Sequence, residues 1–393
     1  MSAPPPPWPQ VRLNEVCIPR GLVRGPFGGT LKKSDFVNSG YQVYEQRHAI
    51  RGSAAPARYF VTGRKFLQMK RFAVNAGDFI VSCSGTIGRI SQISEVAPRG
   101  IINQALLKIT LDTDIIDSRY FRNYFRWETF QNRILDRTQG GAMHNLVGMP
   151  IFKSTLIALP PTREQMGIAE ALEDTNSSIE TLQQLIAKKE AIKQAVMQQL
   201  VIGKTRLSGF TGEWEPRRLT DLLSYEQPGP FLVRTSTQLK NGRVPVLTAG
   251  KTFLLGYTNE SDGVYRAHPV IIFDDFTTAS QFVDFDFKAK SSAMKILSAR
   301  SGANLRFLYE RMQLIKLPVG DHKRYWISEY SRQTIDVPEL KEQEAIAEVL
   351  KDCTDEIRSL RLRLSKACAV KQGMMQELLT GRTRLPVMEE VTT

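Results

Sequence analysis

A 48-residue stretch occurs twice in this chain, and no other property restricts its fold as much. Residues 160–207 (PPTREQMGIAEALEDTNSSIETLQQLIAKKEAIKQAVMQQLVIGKTRL) return without a gap at 338–385 (PELKEQEAIAEVLKDCTDEIRSLRLRLSKACAVKQGMMQELLTGRTRL), 178 residues on, with 21 of 48 positions identical. A repeat of this length means one structural unit used twice, and the rest of the chain divides around it. Each copy opens on a proline, Pro160 or Pro338, and reaches a glycine, Gly203 or Gly381, where a helix cap belongs. Apolar residues recur at three- and four-residue steps: Ile168, Leu172, Ile179, Leu182, Ile186, Val196 and Leu200 in the first copy. The second copy has Ile346, Leu350, Cys353, Ile357, Leu360, Leu364, Met374 and Leu378. Such a seam predicts one long helix per copy, a rod of about 60 Å at about 1.5 Å per residue, packed along its length on another helix. A lone helix of this kind reads as a dimerisation segment, but two in one chain make each the natural partner of the other.

Antiparallel packing of the pair returns the end of the second helix to the first globular stretch. The flanks agree. WPQVRL (8–13) is similar to WEPRRL (214–219), and each follows a G-[KR]-T-R-L end, one directly and one across the chain ends. The expected fold is α+β, with mixed α/β globules separated by two long antiparallel helices in an intramolecular coiled coil, a pseudo-two-fold circular repeat. Its segments are a first globule (1–157), a first helix (158–207), a second globule (208–335) and a second helix with its tail (336–393).

The net charge of +13 is uneven. Residues 1–150 carry 20 Lys/Arg against 10 Asp/Glu, and residues 215–335 carry 17 against 12, whereas the helix regions are close to neutral. Two basic globules joined by neutral rods suit two contacts with one long polyanion. The four cysteines (Cys17, Cys83, Cys353, Cys368) form no CxxC pair, so neither a disulfide framework nor a zinc site is implied. With no apolar core in MSAPPPPWPQ and no apolar run of spanning length, the expected location is the cytoplasm.

The first globule opens on a Gly-rich, basic loop (GPFGG, 25–29, then LKKSD, 31–35). FIVSC (79–83) reads as a strand that turns at Ser84-Gly85-Thr86. Residues 118–135 read as one amphipathic helix whose aromatics are better explained by a core than by base stacking. In the second globule, VPVLTAGKT (244–252), GYTNE (256–260) and PVIIFDDFTTA (269–279) are strand-and-turn segments, and residues 304–312 echo the aromatic helix. His144 and His322 repeat the 178-residue spacing.

Catalytic chemistry finds little support. The triplets Gly203-Lys204-Thr205 and Gly250-Lys251-Thr252 have Gln198 and Pro245 where a phosphate loop needs its first glycine. A base methyltransferase needs an Asn/Asp-Pro-Pro-aromatic motif, but Pro160-Pro161 follows Leu159. Asp275, Asp286 and Lys288 form the one set that mimics a metal-dependent nuclease. A coiled-coil scaffold with no role on DNA is the third reading.

The doubled P-x-x-x-E-Q start (Pro160, Glu164, Gln165; Pro338, Glu342, Gln343), the doubled G-[KR]-T-R-L end, GPFGGTLKKSDF and the VLTAGKT…LGYTNE…VIIFDDFTTA…FKAKSSAMKIL series resemble the specificity (S) subunits of type I restriction–modification systems. The resemblance spans essentially the whole chain. It implies two target recognition domains, each reading half of a split, asymmetric DNA site, with the helices setting the gap and docking two methyltransferase (M) subunits. The chain itself would be non-catalytic and without cofactors. S-adenosylmethionine, ATP and Mg²⁺ would belong to the M and restriction (R) subunits of an adenine-methylating, ATP-dependent endonuclease complex. Loop position and side-chain chemistry nominate Lys32, Lys33, Ser34, Ser84, Thr86 and His144 as DNA contacts in the first domain. Thr248, Lys251, Thr277, Thr278, Lys290, Ser291 and Ser292 are nominated in the second. Glu164, Gln165, Glu342 and Gln343 are nominated for the partner surface, although a carboxylate in a first helical turn also favours the helix dipole.

Overall fold

The computed structural model describes residues 7–136, 145–250, 252–317 and 324–385. The chain forms two compact units. Unit 1 takes the residues up to Thr181 and those from Leu364 onward, and unit 2 takes Leu182–Arg363. The division falls in the middle of both long helices, so each unit owns one globule, the first half of one helix and the second half of the other.

In unit 1 the main sheet has the order β1-β6-β3-β4, built from β1 (Cys17–Arg24), β3 (Phe79–Ser82), β4 (Ile90–Gln92) and β6 (Leu106–Leu111). A second sheet pairs β2 (Tyr41–Tyr44) in parallel with β5 (Gly100–Ile102). In unit 2 the main sheet repeats this order as β7-β12-β9-β10, from β7 (Leu223–Glu226), β9 (Val270–Asp274), β10 (Ser280–Val283) and β12 (Met294–Ala299). Its parallel pair is β8 (Val244–Leu247) with β11 (Lys288–Ala289). β3 and β9 are short apolar runs with most side chains covered, as buried central strands require.

Each unit also has an aromatic helix, α1 (Ser118–Arg126) in unit 1 and α3 (Leu305–Met312) in unit 2, capped by Asp117 and Asn304. The sequence predicts a single helix to residue 135. The structure breaks it at Trp127, whose extended backbone (ψ 130°) starts a separate helix, Glu128–Ile134. The break sets the Trp127 ring 5.6 Å from Tyr124. Tyr120, Phe121, Tyr124 and Phe125 are all buried, so the aromatics belong to the core.

The long helices are α2 (Thr162–Leu200) and α4 (Leu340–Leu378), each of 39 residues. Their bounds keep the spacing of the repeat, and so does their burial: Ile168, Ala169 and Leu172 match Ile346, Ala347 and Leu350. The core of unit 1 joins Leu172 to Met375, Leu378 and Leu379; the core of unit 2 joins Leu350 to Met197, Leu200 and Val201. Within each unit the start of one long helix therefore lies against the end of the other, antiparallel as expected. Burying a leucine or isoleucine contributes about 1.5–3 kcal/mol, enough for these few positions to fix the pairing.

A joint closes each pairing. In unit 1 Arg384 donates to both oxygens of Glu164 (3.0 and 2.8 Å) and lies over the Trp8 ring at 4.3 Å. In unit 2 Arg206 donates from Nε and Nη2 to the two oxygens of Glu342, both at 2.6 Å, and lies 5.7 Å from the centre of the Trp214 ring. Gly381 (φ 72°) and Gly203 (φ 73°) leave room for those rings, since an added side chain would come within 3.2 and 3.3 Å of them. The doubled tryptophan, glutamate, glycine and arginine of the sequence are thus one device made twice.

Candidate nucleic-acid interface

The parallel pairing of β2 with β5 brings two strand ends together, because Tyr44 sits opposite Ile102 and Asn103 N donates to Tyr44 O at 2.9 Å. The segment after each strand therefore emerges at one place. Glu45, Gln46, Arg47, Arg51, Arg58 and Asn103 line a groove there. The turn between β3 and β4 joins them, since Gln46 Nε2 donates to Thr86 O at 3.2 Å. Ser84 and Thr86 on that turn are exposed, and Ser82 Oγ holds it by donating to Thr86 O at 2.6 Å. Lys32, Lys33 and Ser34 are exposed in the loop after β1. His144, like His322, lies outside the described residues.

Unit 2 builds the same junction from different residues. Leu247 pairs with Ala289, and Lys290 N donates to Leu247 O at 3.0 Å, so Thr248 and the run Lys290, Ser291 and Ser292 leave adjacent strands together. Thr248 Oγ1 donates to Thr252 O at 2.9 Å, and Lys290 Nζ reaches Ser236 O at 3.0 Å. Thr277 and Thr278 occupy the turn between β9 and β10, the counterpart of Ser84 and Thr86. Asp274 shapes this turn by accepting from the Phe276 and Thr277 N–H groups, both at 2.9 Å. Thr278 adopts φ 59°, a left-handed conformation that is costly for a β-branched residue. Lys251 lies outside the described residues.

Sequence reading did not single out Gln46, Arg47, Arg51, Arg58 or Asn103. Their grouping depends on a parallel pairing of strands more than 50 residues apart, which local pattern does not reveal. Amides and guanidinium groups are nevertheless the side chains that bind adenine and guanine edges bidentately.

The nuclease set does not assemble. Lys288 is 2.8 Å from Glu260, and Asp275 is 3.4 Å from Lys295, its Oδ1 accepting from Trp326 N at 2.7 Å. Asp286 pairs with Arg266 and, at 3.1 Å, with His268. Each member thus has a different partner, and among the described residues no group of three acidic, His or Cys side chains is placed to hold a metal ion. The Lys288 ammonium, helped by the Arg234 and Thr235 N–H groups, pulls Glu260 down to about 2, which makes this pair a fixed charge buttress for the loop around residue 235.

The residues nominated for a partner surface are engaged inside the fold. Gln165 and Gln343 are 1% and 2% exposed. Gln165 accepts from Asp117 N at 2.7 Å and donates to Pro160 O at 2.9 Å; Gln343 accepts from Asn304 N and donates to Pro338 O, both at 2.9 Å. Each pins the start of a long helix to the N-cap of an aromatic helix. Glu164 and Glu342 are committed to the arginine joints. The E-Q pair accordingly reads as an internal fastening, because its polar atoms are already satisfied.

Comparison with known proteins places this arrangement. Residues 5–191 and 211–365 match the family described as type I restriction modification DNA specificity domain. A specificity subunit of the type I restriction enzyme EcoR124I/EcoR124II of Escherichia coli is 51% identical over 138 residues, a match spanning 34% of either chain. The MjaVIII specificity subunit of Methanocaldococcus jannaschii is 23% identical over 385 residues, covering 88% of this chain and 87% of that one. Among solved structures, the S subunit from M. genitalium superposes with TM-score 0.62 at 12% identity over 95% of this chain and 96% of that one. A chain from a study of type I R-M complex assembly and conformational transition gives 0.58 at 14%, covering 98% and 100%. At these identities the superpositions speak for the fold alone. The two matched segments take in most of the chain, and by that measure it belongs to the type I restriction–modification DNA specificity family.

Proposed function

We propose that this chain is the non-catalytic specificity subunit of a type I restriction–modification complex, in which each unit reads one half of a split DNA site. The observation that carries the reading is the doubled junction: in both units a parallel strand pair brings two segments with polar and basic side chains out side by side, and in unit 1 the hairpin turn joins them. Lysine and arginine supply affinity through phosphates, while amides and hydroxyls at base edges supply sequence preference. The stiffness of α2 and α4 supports a second part of the proposal, that they set the distance between half-sites and dock two M subunits. S-adenosylmethionine, ATP and Mg²⁺ then act on the M and R subunits, and the complex works in the cytoplasm.

The test uses the purified full chain and duplex DNA. Binding that weakens steeply with salt, with no cleavage of plasmid in Mg²⁺, is the expected result. Cleavage by the chain alone would restore the nuclease reading, and salt-insensitive or absent DNA binding would leave only a scaffold.

A further inference from the structure

Beside its strand-end junction, unit 1 has a second groove, between the β3–β4 turn and α4. Thr86, Gly88, Arg89, Arg126, Glu128 and Lys371 contribute to its lining. The three cations come from three elements: Arg89 from the hairpin, Arg126 from the end of α1 and Lys371 from the second half of α4. None of them has a carboxylate within ion-pair distance among the described residues, and Glu128 is the one acidic side chain in the described lining. Burial disfavours the charged forms of Arg126 and Lys371, and neighbouring cations add to this, Arg122 and Arg89 acting on Arg126 and Arg126 on Lys371, while the Glu180 carboxylate opposes it at both. Three cations gathered around one lining carboxylate, with none of the three ion-paired among the described residues, leave a net positive groove that suits an anion.

The groove of unit 2 that holds the repeat partner of Lys371 is neutralised from within. Lys193, which corresponds to Lys371 in the repeat, lies 3.9 Å from Glu310. Gln313 stands nine residues after the N-cap of its aromatic helix, the place Arg126 holds in unit 1. Arg361 is 2.7 Å from Glu190, and Arg358 is 3.6 Å from Asp355.

We propose that Arg89, Arg126 and Lys371 form a backbone-phosphate clamp, present in unit 1 and absent from unit 2, that grips the DNA next to the turn carrying Thr86. A duplex that reaches Ser84 and Thr86 must carry its phosphates past this groove, and guanidinium and ammonium groups suit phosphate oxygens. The clamp adds affinity without sequence information, so most of the electrostatic hold on DNA falls on the half-site read by unit 1. The proposal rests on the DNA-reading function above.

The experiment measures binding of a fluorescein-labelled duplex to the full chain as a function of salt. The variants are R126Q/K371Q, the charge-keeping R126K/K371R, and K193Q/R358Q in unit 2. Two lost phosphate contacts should flatten the slope of log K against log salt by about 1.8, at about 0.9 per contact, with site preference unchanged. R126K/K371R should keep most of the slope, which separates loss of charge from loss of fold, and K193Q/R358Q should leave it as in the wild type. An unchanged slope in R126Q/K371Q overturns the clamp, as does an unchanged slope accompanied by loss of a co-purified M subunit, which would assign the groove to a protein partner. A wild-type chain that shows no salt-dependent binding overturns the DNA-reading function itself.

Discussion

In unit 1 Arg89, Arg126 and Lys371 share a groove with Glu128 and none is ion-paired among the described residues, whereas in unit 2 Lys193, Arg358 and Arg361 each lie beside a carboxylate. The sheet order, the aromatic helix, the buried glutamine and the arginine joint are the same in both. Duplication has therefore kept what holds a unit together and released what faces outward. The difference teaches where to look for function: positions that obey the repeat serve the fold, and positions that break it serve the contact with a partner that is itself asymmetric.

That division can be broken first in the core. Leu172→Ala and Leu350→Ala occupy equivalent sites with 0% exposure, and each should cost about 2–5 kcal/mol in denaturant unfolding. Similar losses in the two variants support equivalence; a loss confined to one says the cores have diverged. Gln165→Leu and Gln343→Leu should each cost about 1–3 kcal/mol, because Asp117 N or Asn304 N loses its buried acceptor.

The outward residues should behave oppositely, each touching one half-site. Asn103→Ala or Gln46→Ala should reduce discrimination by about 1–3 kcal/mol at bases of one half-site in competition binding, with the other half untouched. Thr277→Ala should affect only the other half. If both halves respond to a single substitution, the two units do not read separately.

Acid should distinguish the units too. Glu260 is held at about 2 in unit 2, against an ordinary value of 4.5. A depressed carboxylate contributes stability that is present above its unfolded pKa and lost as pH falls from about 4.5 toward about 2. Glu260→Gln should remove that part of the pH dependence, read by thermal melts across the window. The smallest effect belongs to Asp286→Ala, whose exposed pairing with Arg266 contributes only about 0.2–1 kcal/mol. It should leave stability and DNA binding nearly unchanged, and plasmid in Mg²⁺ should stay uncut by wild type and variant alike; cleavage by the wild type that the variant loses would restore the nuclease reading.

Much of the scaffold was legible in the sequence because the repeat and the helical period are local signals. The seam from Ile168 to Leu200 marked one rod and its copy marked the other, and the tryptophan and G-[KR]-T-R-L flanks pointed to the joints. The E-Q pair was visible too, but its role was not. Gln165 shows its purpose only when Asp117, 48 residues away, is seen to need an acceptor. Arg47 and Asn103, and likewise Arg89, Arg126 and Lys371, are remote in sequence and meet through tertiary packing alone. Trp127 hid the break in the aromatic helix, since its ring continues the apolar pattern while its backbone leaves it.

The central claim is that two separate readers share one chain, and methylome sequencing of the source cell tests it most directly. The wild-type gene should yield one bipartite adenine-methylated motif that disappears when the gene is deleted. Complementation with the Gln46→Ala/Asn103→Ala variant should alter or relax one half of that motif and leave the other half and the gap as they were. A motif that survives deletion, or one whose two halves change together, would contradict the account.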